Sequence, residues 1–74
     1  MSKLPVVSGK DAVSAFARIG YVFDHQTGSH IILRHQDPPH RRLVVPNHRV
    51  VAKGILRKLI RDAGLTIDGF VELL

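Results

Sequence analysis

The chain predicts a two-layer α+β sandwich in which helices cover one face of a three-stranded antiparallel sheet. Three observations carry this reading. Apolar residues recur at helical spacing near both ends, at Val13, Phe16 and Ala17 and again at Leu56, Leu59, Ile60 and Ala63. Between them, short apolar or alternating segments are separated by turn-forming residues, the pattern of successive strands. The links are too short for crossover helices, so the strands form a meander that flanking helices can bury on one side.

Taken in order, Met1–Val7 reads as an extended arm, apolar at Leu4, Val6 and Val7 and interrupted by Pro5. Ser8 followed by Asp11 marks a helix start, because the hydroxyl caps a free N–H and the acid favours the positive end of the dipole. The helix covers about 9–19, with Phe16 in the core and Gly20 as its stop. Tyr21 to His25 alternates as a strand, with Tyr21, Phe23 and His25 on one side. Gln26-Thr27-Gly28 forms a hairpin turn. A second strand, about 29–35, puts Ile31 and Leu33 on one face and His30, Ile32 and Arg34 on the other.

Pro38 and Pro39 make the next segment a loop, placing His35 and His40 at its surface. Arg42–Val45 is a third strand, ended by Pro46. The segment 47–53 reads either as a helix capped by Asn47 or as a loop. The second helix closes at Gly64, with Arg57, Lys58 and Arg61 on its outer surfaces. Thr66 caps a short last helix that buries Phe70, Val71 and Leu74. The order is similar in outline to double-stranded-RNA-binding domains, and 1–74 reads as one domain without repeats.

Composition narrows the chemistry. Of 74 residues, 11 are lysine or arginine and 6 acidic, for a net charge of +5, which favours a phosphate-rich or acidic partner. Four aromatic residues are too few for a base-stacking platform. No cysteine is present for a disulfide or a thiolate metal site. No apolar run approaches the roughly 20 residues that span a bilayer, and no signal-peptide pattern opens the chain, so a cytoplasmic setting is expected.

Five histidines stand at 25, 30, 35, 40 and 48, without the spacing of a metal site, so no metal or cofactor is expected. Ser29 points away from its neighbour His30, which removes a serine relay, and dispersed acids exclude a two-metal phosphoryl site. Metal-free acid–base chemistry remains. RNA carries its own nucleophile in the 2′-hydroxyl, and an imidazole serves either proton role near neutral pH. His30 is the candidate, fixed in direction by its strand, with Arg34 on the same face to neutralise a phosphate. DNA lacks the 2′-hydroxyl, so RNA-only cleavage is predicted and no DNA contact is expected.

Gly20-Tyr21, Gly28-Ser29-His30, the strand Ile31 to His35, Val44-Val45-Pro46 and the helix Lys53–Gly64 together resemble the HicA family of toxins from toxin–antitoxin pairs. The resemblance runs from about Leu4 to the C-terminus. It implies a double-stranded-RNA-binding-like fold, metal-independent cleavage of mRNA, and a HicB-type antitoxin that covers the active site. It places the catalytic histidine on His30, with Gly28 and Ser29 shaping the approach. Arg34, Lys53, Arg57 and Arg61 are the candidate substrate contacts. Gly54-Ile55-Leu56 departs from the Gly-Thr-Leu often found in such toxins, and His25 stands where a basic residue is common. Two other readings stay open: a non-catalytic RNA-binding module using Arg57, Lys58 and Arg61, and an interaction domain that only meets its antitoxin.

Overall fold

A computed structural model describes residues 3–74; Met1 and Ser2, the start of the expected arm, lie outside the described residues. The elements run α1 (Gly9–Ala17), β1 (Tyr21–Thr27), β2 (His30–His35), β3 (Arg42–Pro46), α2 (Lys53–Asp62) and α3 (Ile67–Val71). The strands form one antiparallel sheet in the order β1-β2-β3, with β2 in the centre. This is the predicted α+β arrangement, consistent with a double-stranded-RNA-binding-like fold.

The start of α1 is fixed twice. Ser8 and Asp11 form a reciprocal capping box, the side chain of each accepting from the other's backbone N–H at 3.0 and 3.2 Å. Gly9 then presses against the Pro46 carbonyl, where any Cβ would collide with backbone. Its N–H donates to the His48 carbonyl at 2.9 Å. The helix ends at Ala17, two residues short of the expected limit, and Gly20 turns the chain into β1 at φ +99°.

The core lies between the helices and the sheet face bearing Ile31, Leu33, Leu43 and Val45. Phe16 is its centre, packed at ring-centroid distances of 5.3 Å from Phe70 and 6.0 Å from Tyr21. Leu56, Leu59 and Ile60 supply the α2 stripe, as their spacing predicts. Truncating such a buried aromatic costs about 3–5 kcal/mol, much of what a domain this small has in hand.

Several boundaries differ from expectation. The hairpin turn is Gly28-Ser29, one residue later than read, because Thr27 and His30 are paired across it. Gly28 holds φ +59° at the first central position, where hairpin turns matched to strand twist need positive φ. Asn47 caps nothing. Residues 47–52 are a loop, and α2 begins after Ala52 without a side-chain cap. Pro46 belongs to β3, tolerated because that strand is an edge. In the last helix Phe70 is buried, but Val71 and Leu74 are exposed, and Leu73 packs on the core instead.

The largest change is in β1. Phe23 pairs with Leu33 but His25 pairs with Ile32, so Asp24 is an extra residue and the strand is bulged. His25 therefore leaves the side of Tyr21 and Phe23 and joins the sheet face opposite the helices. Simple alternation had placed it with them.

Candidate functional site

The face of the sheet not covered by helices carries His30, Ile32 and Arg34 from β2. Register adds Thr27, His25 and Val22 from β1, with Val44 and Arg42 from β3. His30 is the first residue of the central strand, paired with Thr27 on one side and Pro46 on the other. Its side chain is exposed and makes no hydrogen bond to a described residue. Four residues along, beyond Ile32, Arg34 is exposed on the same face.

Gly28 and Ser29 form the turn directly ahead of His30. The Ser29 carbonyl accepts from the Asn47 N–H at 2.6 Å, tying that turn to the end of β3. The imidazole is thus mounted on a backbone braced from both neighbouring strands. Strand residues hold their side-chain direction better than loop residues do.

The remaining candidates lie elsewhere. Chain direction puts Lys53, the first residue of α2, near the His30 end of the sheet, since β3 runs that way and α2 returns. Arg57 and Arg61 line a groove with Gly64, Leu65, Thr66 and Ile67, between α2 and α3. That is the helical layer, on the far side of the sheet from His30. Lys58 binds Asp62 at 2.7 Å across one helical turn.

Asp24 is the feature that sequence reasoning missed. Its Oδ2 accepts from His25 Nδ1 at 2.7 Å and stands 3.6 Å from Arg42 Nη1. The hydrogen bond from His25, helped by the charges of Arg42 and Arg34, holds this carboxyl below its usual range. A bulge leaves little mark on apolar patterning, so the sequence signal was only the adjacent Asp-His pair itself.

Two histidines have structural roles. His35, expected at the surface, is half-buried: its Nε2–H donates to the Ile19 carbonyl at 2.7 Å and its Nδ1 accepts from the Asp37 N–H at 3.1 Å. Its ring meets Tyr21 edge-on at 4.8 Å. His40 adopts φ +59° and donates from Nδ1 to the His35 carbonyl. A hollow of about 410 Å³ beside them, lined by Tyr21, His35, Asp37 and Arg41, sits at the opposite end of the sheet from His30. Among the described residues, no group of three or more histidines and acids is placed to hold a metal ion.

Against known families, the model described as the HicA toxin of bacterial toxin–antitoxin systems matches residues 9–65. The match runs from the first residue of α1 to just past α2, most of the 74-residue chain. The chain belongs to the HicA toxin family. A search of curated proteins finds no match. As a toxin of this family it has an antitoxin as its partner. Among the described residues, no helix is long and apolar enough to cross a membrane.

Proposed function

We propose that this HicA-family chain is an endoribonuclease that cleaves mRNA without a metal ion. The observation that carries the reading is His30. It is an exposed imidazole on a braced strand, four residues from Arg34 on the same sheet face, which no helix of the described residues covers. His30 takes the proton from the ribose 2′-hydroxyl as that oxygen attacks the adjacent phosphorus. Arg34 offers charge-assisted hydrogen bonds to the phosphate oxygens as negative charge builds there. Gly28 and Ser29 keep the approach to the imidazole low and free of bulk, and Lys53 adds positive charge at the same end of the sheet.

A HicB-type antitoxin silences the toxin by covering this face, where Val22 and Val44 are exposed among the charges. The test is cleavage of an mRNA by wild-type protein and His30→Ala, each with EDTA. Wild-type cleavage that survives the chelator and is lost in a folded His30→Ala protein supports the reading. Salt-sensitive RNA binding without cleavage selects a binding module instead.

A further inference from the structure

A nuclease that uses the 2′-hydroxyl needs two proton transfers. One group removes the 2′-hydroxyl proton as the 2′-oxygen bonds to phosphorus. Another supplies a proton to the 5′-oxygen as its bond to phosphorus breaks, leaving a 2′,3′-cyclic phosphate and a 5′-hydroxyl. His30 accounts for the first. The second has no residue assigned to it.

Resting on that reading, we infer that His25 is the proton donor to the leaving 5′-oxygen, positioned by Asp24. Three features of the sheet support this. The bulge at Asp24 turns His25 onto the uncovered face, directly across from Ile32. Because Thr27 pairs with His30, His25 and His30 are diagonal neighbours on adjacent strands, about 7–8 Å apart by backbone geometry. That spacing admits one phosphodiester linkage between two imidazoles. Arg34 is the other diagonal neighbour of His25, on the side away from His30, so its long side chain would reach toward a phosphate held beside His25.

The Asp24 hydrogen bond completes the arrangement. The carboxylate takes Nδ1–H of His25 at 2.7 Å, which orients the ring and leaves Nε2 as the atom available to substrate. The charged and titratable groups facing His25 are Asp24 on its own strand, His30 and Arg34 on β2, and Arg42 on β3. Among the described residues, no helix lies on this side of the sheet. Arg42, 3.6 Å from the Asp24 carboxylate, holds that side chain from the opposite edge. Asp24 does not touch RNA; it acts through His25.

The experiment compares two substrates. One is an RNA cleaved by the wild type; the other carries a bridging sulfur in place of the 5′-oxygen at the cleaved linkage. A thiolate leaves without taking a proton, so this substrate needs no acid. In His25→Ala and His25→Gln, cleavage of ordinary RNA falls by about 10²–10⁴-fold, whereas cleavage of the sulfur-bridged RNA stays within roughly tenfold of wild type on the same scale. His30→Ala loses both. The pH–rate profile of the His25 variants loses its alkaline limb, and Asp24→Asn slows cleavage of ordinary RNA more than of the sulfur-bridged RNA, with only a small change in thermal unfolding. Wild-type rates in the His25 variants, or equal losses on both substrates, overturn the assignment. If the wild type cleaves neither RNA, the nuclease reading itself fails and takes this inference with it. If His30→Ala alone abolishes cleavage and His25 variants do not, only the inference falls.

Discussion

A methyl group on Gly20 would stand 2.7 Å from Nε2 of His35, the nitrogen that donates to the Ile19 carbonyl. The turn from α1 into the sheet and the far end of β2 are therefore packed to contact. Gly20 also sits at φ +99°, a conformation in which a side chain is strained. Gly20→Ala should cost about 1–3 kcal/mol. In a domain of this size each kcal/mol lowers the thermal midpoint by about 4–8 °C. Calorimetry of the variant checks this, and an unshifted midpoint would show that His35 yields without penalty.

The two histidines that open and close β2 should separate cleanly by phenotype. His35 joins the Ile19 carbonyl to the Asp37 amide and packs on Tyr21. His35→Ala strips partners from groups that are partly shielded from water, a loss of about 1–3 kcal/mol. His30 is exposed and makes no hydrogen bond to a described residue, so His30→Ala should change stability by no more than about 0.5 kcal/mol while abolishing cleavage. Urea denaturation of both variants, beside an RNA cleavage assay, tests the pair. A strongly destabilised His30→Ala protein would mean that its ring supports the hairpin rather than the chemistry.

This contrast also shows what the sequence made legible. Element order, the Ser8 cap, the Phe16 centre and the α2 stripe all follow from patterns within about one turn or one strand. His30 was legible because alternation along β2 is regular from Ile31 to Leu33. His25 was not, because an added residue at Asp24 reverses the facing of everything after it on β1. Nothing in a one-dimensional alternation announces that reversal. His35 was misread as surface because its partners, Ile19 and Tyr21, come from a distant stretch that only the fold brings near. The Val71 and Leu74 assignments failed for a related reason: a terminal helix of five residues buries too little for periodicity to decide its face.

Asp24 gives the fold a signature at low pH. Its carboxyl is held below the usual value by the His25 hydrogen bond, with Arg42 and Arg34 nearby. A depressed folded-state value means the stabilisation is present above the unfolded value of about 3.9 and is lost as pH falls through the folded one. The stability difference between wild type and Asp24→Asn should therefore be open at about pH 5 and close below about pH 4. The group is exposed, so the difference is small. Asp62 beside Lys58, shifted in the same direction, supplies a parallel case away from the candidate site. Urea denaturation of Asp24→Asn and Asp62→Asn across pH 2–7 checks both, and a gap that stays constant throughout would remove the ionic contribution.

If the chain cleaves RNA as proposed, the arginines should decide the direction from which the strand approaches. Arg34 shares the uncovered sheet face with His30, whereas Arg57 and Arg61 flank the groove between α2 and α3 in the opposite layer. A charge-assisted hydrogen bond to phosphate is worth about 1.5–3 kcal/mol, so Arg34→Ala should reduce kcat/KM by about tenfold or more. Losing one phosphate contact should also lower the salt slope of binding by about 0.7 for a single strand. Arg57→Ala and Arg61→Ala should leave kcat/KM within about twofold, as surface substitutions remote from a site do. Cleavage rates at several salt concentrations distinguish the outcomes. Were the helical arginines to matter as much as Arg34, the RNA would have to wrap around the edge of the sheet and reach both layers, and a strand lying only across the open face would be the wrong picture.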